Sequence, residues 1–181
     1  TNNEPMGNAD SGQPYVNLVG TSGKYDGRAG VRGLWCQTGD IYGIENINVL
    51  PNIFLARSGI FRVAGWSGQL AGIYFFSDQN NWVFIGAAGI NEGAVIMKDA
   101  GVQTVVSTVS NGNVFTRNQV EFHFILSPNT SSISLFCPAA NLTIYSTSNT
   151  AVRDKILQAT SIGFSGLVLN YSITIAKTFG F

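Results

Sequence analysis

Charge is what this chain has least of. Asp, Glu, Lys and Arg make up 11% of its 181 residues, where an ordinary soluble domain carries about 25%. Ten basic residues are matched by ten acidic ones, so the formal net charge is zero. The basic residues are scattered, with no cluster to release counterions from a phosphate backbone, which argues against nucleic acid as a partner. Histidine occurs once, at His123, and cysteine twice, at Cys36 and Cys137, far apart and in no CxxC spacing. That set offers no zinc-ligand spacing. It leaves two readings of the cysteines open, a pair of buried thiols within strands or one long-range disulfide. No apolar run approaches the roughly 18 residues of a membrane-spanning helix. Residues 83–90 are strand-sized and broken by Gly86 and Gly89, so membrane insertion is not expected. The glycine-rich stretch over 20–33 lacks a Gly-Lys-Ser/Thr step and a following helix, which argues against a phosphate loop. Residues 1–13 have neither a basic nor an apolar leader region. They read as a flexible polar lead-in, not a signal peptide, ahead of a single domain over 14–181.

What is present is strand. Hydrophobic residues make up 45% of the chain, and they recur in short runs of period two. Val120, Phe122, Phe124 and Leu126 alternate with Glu121, His123 and Ile125; a Ser127-Pro128-Asn129-Thr130 turn follows, and Ile133, Leu135 and Cys137 resume on a partner strand. A second hairpin runs through Leu70-Ala71-Gly72-Ile73-Tyr74-Phe75-Phe76. It turns at the polar tip Ser77-Asp78-Gln79-Asn80-Asn81 and returns through Trp82-Val83-Phe84-Ile85-Gly86-Ala87. Asn111-Gly112 marks a further tight turn after a strand over 102–109. Other expected strands cover 15–19, 31–36, 41–49, 60–66 and 167–176, the last running on toward Phe181. One segment breaks the pattern. Asn149-Thr150 caps about two helical turns, whose Val152, Ile156 and Ala159 would face a sheet. The expected fold is therefore all-β, an antiparallel β-sandwich or jelly roll with one short helix near 150–158. Sequons occur at Asn129, Asn141 and Asn170, and the last falls inside an expected strand, a poor place for a glycan.

In order and spacing, residues 55 to 181 resemble the concanavalin A-like and laminin-G-like lectin sandwiches. The resemblance rests on the aromatic hairpin from Gly72 to Ile85 and on the strand Val120-Glu121-Phe122-His123-Phe124. It continues through Ser131-Ser132-Ile133-Ser134-Leu135-Phe136, the step Ile162-Gly163-Phe164-Ser165-Gly166, and the ending Phe179-Gly180-Phe181. Legume-type members of that group carry metal-binding acids in a Val-Glu-Phe-Asp strand. This chain matches at Glu121 but has His123 where the Asp belongs, so an outward Glu and His are expected and no metal site. Glycoside hydrolases of the same class carry Glu-x-Asp-x-(x)-Glu on one strand, and here Asp78, Glu92, Asp99 and Glu121 stand apart instead. Gly65-Trp66-Ser67-Gly68-Gln69 and Gly163-Phe164-Ser165-Gly166-Leu167 lack the final glycine of a nucleophile elbow, and His123 is the only histidine available as a base.

These exclusions leave binding. A neutral surface rich in Asn, Ser and Thr suits a sugar, which is recognised by flat aromatic faces and planar amides. The candidate ligand-binding residues are Asp78, Asn80, Asn81, Trp82, Trp66, Trp35 and Tyr25. Core packing is the competing role for Trp82, and a plain hairpin turn for the tip. The tip oxygens also offer a weak ligand set for Ca²⁺. The function expected is non-catalytic binding of carbohydrate or a glycosylated receptor by an extracellular or virion-surface protein. The alternative is a structural head of a trimeric fibre or capsid spike, in which few charges reflect buried subunit interfaces. That makes a homo-oligomer, trimer or dimer, a second kind of partner. A glycan-acting hydrolase is the third class.

Overall fold

The computed structural model describes residues 3–4, 14–26, 33–37, 39–45, 55–64, 70–88, 92–110, 120–127, 132–137, 142–147 and 150–177. Fourteen strands and one helix follow in chain order. They are β1 (Asn3–Glu4), β2 (Tyr15–Val19), β3 (Lys24–Asp26), β4 (Gly33–Cys36), β5 (Ile41–Ile44), β6 (Leu55–Ala64) and β7 (Leu70–Asp78). Then come β8 (Asn81–Ala88), β9 (Glu92–Asp99), β10 (Val102–Ser110), β11 (Val120–Ser127), β12 (Ser132–Cys137), β13 (Leu142–Thr147), α1 (Thr150–Gln158) and β14 (Ser161–Lys177). Every described pairing is antiparallel, as expected of an all-β sandwich.

The architecture turns on β14, which belongs to two layers. Its first part, Ser161–Ser165, pairs with β7, and Ile162–Phe164 pairs with β5 on the other side. Its second part pairs with β4 at Gly166–Val168 and with β6 from Leu167 to Lys177. One layer therefore reads β10-β9-β8-β7-β14-β5-β2, and the other β13-β12-β11-β6-β14-β4-β3-β1. The strand changes layers at Gly166, whose φ is +65°. A Cβ there would sit 2.7 Å from the Leu70 carbonyl oxygen and 2.8 Å from the Ala71 Cβ, so glycine satisfies both the backbone angle and the close approach. Polar groups near the bend are paired. Ser165 Oγ donates to the Leu70 carbonyl at 3.1 Å. The Cys36 thiol lies 3.2 Å from both the Phe164 and the Asp40 carbonyl oxygens. Cys36 is a free thiol, pushed up to about 12 chiefly by its burial.

Period two sorts the aromatic hairpin into two clusters. Ile73, Phe75, Val83, Ile85, Ile162 and Phe164 belong to the main core, while Tyr74, Phe76, Trp82 and Phe84 belong to a second buried cluster with Ile41 and Ile96. Burial on both faces explains the nearly unbroken apolar runs of β7 and β8. Helix α1 carries Val152 and Ile156 into the main core, followed by Ala159 just past its end, as the 3.6-residue spacing predicts.

Several boundaries differ from those expected. The strand expected over 41–49 is described as far as Ile44, the one over 60–66 begins at Leu55, and the closing strand starts six residues earlier, at Ser161 instead of 167. β9 and β13 were not expected, nor were the short β1 and β3. β9 begins Glu92-Gly93-Ala94, which has little strand preference, so its pairing with β8 supplies what local propensity does not; β13, Leu142-Thr143-Ile144-Tyr145-Ser146-Thr147, carries strand-favouring residues that the sequence reading passed over. Within the expected lead-in, Asn3–Glu4 pair with Tyr25–Asp26. The Asn111-Gly112 turn, the sequons at Asn129 and Asn141, and the ending Phe179-Gly180-Phe181 lie outside the described residues. Asn170 lies within β14, next to a register shift after Val168.

Gly166→Ala is expected to destabilise the domain by about 2 kcal/mol or more, since positive φ and the contact with Leu70 act together. Urea unfolding measures it; a loss below about 0.5 kcal/mol would show that the bend does not need glycine.

Candidate functional site

The turn between β7 and β8 is built around one carboxylate. Asp78 Oδ1 accepts from the Asn80 backbone N–H at 2.7 Å, and both of its oxygens accept from the Asn81 amide at 3.0 Å. An Asp that bonds the backbone two residues on forms an Asx-turn, the local reason this tetrapeptide reverses the chain. These bonds hold the Asp78 carboxyl below its ordinary 3.8. The Asn81 side chain is the largest cause and the Asn80 N–H the next, with the Lys155 charge a smaller contribution.

Neighbouring elements hold the turn from three sides. The Gly101 N–H donates to the Asn80 carbonyl at 3.0 Å, which joins the β9–β10 tip to this one. That second tip turns through two left-handed residues, Ala100 at φ +47° and Gly101 at +87°. Asn81 Oδ1 accepts from the Ala100 N–H at 3.2 Å and from Lys155 Nζ at 2.6 Å. Lys155, on α1, also pairs with Asp99 at the end of β9. Lys98 Nζ donates to the Gln79 carbonyl at 2.9 Å. The helix is fastened nearby by the Thr160 N–H to the Phe76 carbonyl at 3.1 Å. Two hairpin tips and a helix thus form one hydrogen-bonded surface. The side-chain amides of Gln79 and Asn80 are exposed and have no bond to another described residue.

Of the sequence candidates, the structure brings Asp78, Asn80 and Asn81 together. Trp82 adjoins them but is packed inward, 9% exposed and edge-on to Tyr74 with ring centroids 5.2 Å apart. Its large apolar ring supports the turn from below and is not offered as a stacking surface. Trp35 lies elsewhere, on β4 opposite Leu167 and beyond the Gly166 bend, whereas the tips lie past Ser161. Its ring face is occupied by Lys24 Nζ, 4.6 Å from the centroid, because Lys24 sits directly across the β3–β4 ladder. Tyr25 is placed by its backbone on β3, opposite Leu34, and Trp66 lies outside the described residues. The expected composite of aromatics and amides therefore separates into an amide surface and a distant Trp–Lys pair.

Sequence reading missed Gln79, Lys98 and Lys155 as members of this surface. Gln79 was legible as the remaining amide of the tip, but the two lysines were not. Lys98 is placed by its register opposite Trp82, and Lys155 comes from a helix far along the chain.

The same geometry bears on the tip oxygens as a ligand set. The Asp78 oxygens are engaged by the Asn80 N–H and the Asn81 amide, and the Asn81 and Asp99 oxygens by the Lys155 ammonium. The donor set does not fit a metal. Among the described residues no three His, Cys, Asp or Glu side chains gather. Glu121 and His123 face outward together on β11, half-buried and bonded at 2.8 Å, with Arg62 and Ile60 opposite them in the ladder. Asp40 closes another loop, accepting from the Thr21 and Ser22 N–H groups at 3.2 and 3.0 Å.

No family model and no curated protein matches the chain. Solved structures do. Domain 4 of AbnA, a GH43 extracellular arabinanase from Geobacillus stearothermophilus, in complex with arabinotriose, has a TM-score of 0.51 at 11% identity over 91% of this chain and 82% of that one. The GH43 protein BlXynB of Bacillus licheniformis gives 0.52 at 12%, over 88% of this chain and 32% of its own. The enzymatically active domain of tailspike protein 2 from bacteriophage CBA120 gives 0.51 at 11%, over 98% and 30%. The chain thus spans about a third of the length of the GH43 protein and of the tailspike. The likeness is one of fold.

Because its folded value is depressed, Asp78 contributes its stabilisation above its unfolded value of about 4 and loses it as the pH falls from there through the lower folded value. The thermal midpoints of wild type and Asp78→Asn should differ by a constant amount between about pH 7 and pH 5, and converge as the pH falls below about 4. A gap that stays the same in acid would remove Asp78 as the centre of the turn.

Proposed function

We propose that the domain is a non-catalytic carbohydrate-recognition module, carried on an extracellular or virion-surface protein, with the joined tips as its contact surface. The observation that carries this reading is the pair of exposed amides, Gln79 and Asn80, bonded to no other described residue, on a turn whose backbone and neighbouring side chains are held by bonds. Planar amides on a fixed backbone can each donate to and accept from sugar hydroxyls. Holding the turn in place beforehand removes part of the ordering cost of binding. Zero net charge leaves no long-range field to select a charged ligand.

Binding without hydrolysis is favoured by what the carboxylates do. Asp40, Asp78, Asp99, Glu121 and Asp154 each engage a partner within the fold. Glycoside hydrolysis asks for two carboxyl groups facing one another about 5–9 Å apart across the sugar. Support from outside the chain comes from the likeness in fold to an arabinanase domain whose structure holds arabinotriose. A glycosylated receptor would present the same hydroxyl chemistry.

Arabinotriose and a broad neutral-glycan array, probed with multimerised protein, test the reading. We expect binding to at least one neutral glycan. The double variant Gln79→Ala, Asn80→Ala should weaken it at least about tenfold, with the thermal midpoint unchanged and no new reducing ends released. Silence across the array, or glycan cleavage, would overturn the proposal; full binding by the double variant would move the site elsewhere.

A further inference from the structure

The sheet register divides the side chains at the joined tips between two faces. Asn81 and Asp99, next to Trp82 and Lys98 along their strands, alternate toward the face on which α1 packs, and there Lys155 bonds the one and pairs with the other. On the other face one row crosses the ladder, from Gln103 on β10 through Lys98 on β9 and Trp82 on β8 to Phe76 on β7. Trp82 and Phe76 belong to the second buried cluster, whereas Val152 and Ile156 of α1 belong to the main core, which fixes the two sides. Lys98 is half-buried, and its ammonium donates to the Gln79 carbonyl at 2.9 Å. Among the described residues no carboxylate pairs with it. The other charged side chain that the described strands of this layer place on that face is Glu92, at the opposite end of β9. At the rise of a strand it stands about 20 Å away, beyond the roughly 8–10 Å over which exposed charges interact in salt. Gln103 is exposed and directly across from Lys98, and its amide bonds no other described residue.

We propose that the sugar received at the joined tips carries an anionic oxygen group, a carboxylate or a sulfate, held by Lys98 and Gln103 beside the amides of Gln79 and Asn80. The inference rests on the carbohydrate reading and names the class of sugar. An ammonium has three donors; the Gln79 carbonyl takes one and leaves two for a ligand. That same bond ties the lysine to the turn that carries the exposed amides, so its charge is held where the sugar sits. Side chains directly opposite on antiparallel strands stand about 5 Å apart at Cβ. The Gln103 amide therefore adds an N–H donor beside the ammonium, and two oxygens of one anion are met together. The acids of the tips do not compete for Lys98, because Asp78 is engaged by Asn81 and Asp99 by Lys155 on the helix side. Zero net charge is a sum over the whole chain, whereas this face is positive at the tips. Recognition is by contact with the bound group and not by steering from a distance.

An array on which each neutral oligosaccharide is printed beside its uronate and its sulfated counterpart, probed with the multimerised whole chain, tests this. At low salt at least one anionic form should bind about tenfold more tightly than its neutral partner. The ratio should shrink as sodium chloride rises from about 0.02 M to about 0.5 M, because the site is open to water. Which counterpart gains, the uronate or the sulfate, identifies the group. Lys98→Arg should keep the ratio, and Lys98→Met should bring it to about one. Gln103→Glu, an exposed change that alters neither partner of the Lys98–Gln79 bond, should bring the ratio to about one or below, with the thermal midpoint unchanged. Equal affinity for neutral and anionic forms, or a ratio that survives Lys98→Met or Gln103→Glu, would overturn the proposal and leave the carbohydrate reading standing. Silence toward every form would overturn both.

Discussion

Two layers of this sandwich share one strand, and the bend at Gly166 lets them do so. β7 and β6 run antiparallel to successive stretches of β14, as do β5 and β4. A straight β14 would place all four in one flat sheet, leaving its apolar faces uncovered. Turning at a single residue of positive φ folds the second layer over the first and encloses Phe75, Phe164 and Ile156 between them. The requirement is steric as much as conformational, since the Leu70 carbonyl and Ala71 occupy the space a side chain would need. Around the bend, Ser165 and Cys36 bond to carbonyls, so distortion of the ladder does not strand polar groups inside.

At the start of the same strand the problem is reversed, since there the polar groups must be organised in water. The β7–β8 turn solves it with a web of short-range bonds centred on Asp78 and extended by Lys155 and Ala100. Each exposed ion pair adds little by itself. Their combined effect is geometric, because the helix, β9 and two tips all converge on Asn81. Trp82 is the buried counterpart of that web, filling the space beneath the turn with a ring packed on Tyr74. Burial pushes the Tyr74 phenol up to about 12, so that contact stays neutral across the working pH range. Among the described acids, Asp78 and Asp40 hold turns and Asp99 attaches the helix through Lys155.

Much of the fold was legible in the residues. Alternation marked β11 and β12, the polar tip marked the β7–β8 turn, and the spacing of Val152, Ile156 and Ala159 marked the helix and its buried side. β9 was illegible because its opening Glu92-Gly93-Ala94 carries little strand preference and its cross-strand partner decides it, whereas β13 carries strand-favouring Thr143, Ile144 and Tyr145 and its signal was overlooked. The length of β14 was underestimated because Gly163 and Gly166 look like an interruption in one dimension, whereas in three they are a close approach and a bend. At the candidate site, local chemistry identified Asp78, Asn80 and Asn81. Their joining to Lys98 and Lys155 came from pairings that no local pattern encodes.

The amino-acid sequence alone settled the class of structure, the neutrality of the surface and the dispersal of the acids. These follow from composition and from a period of two, which are local properties. Tertiary structure decided which aromatics are available. It turned Trp82 inward and set Lys24 over Trp35, because a side chain's exposure depends on what the rest of the chain lays across it. Among the described residues it also left β10 paired on one side only, since only the completed order of strands determines which strand ends a layer.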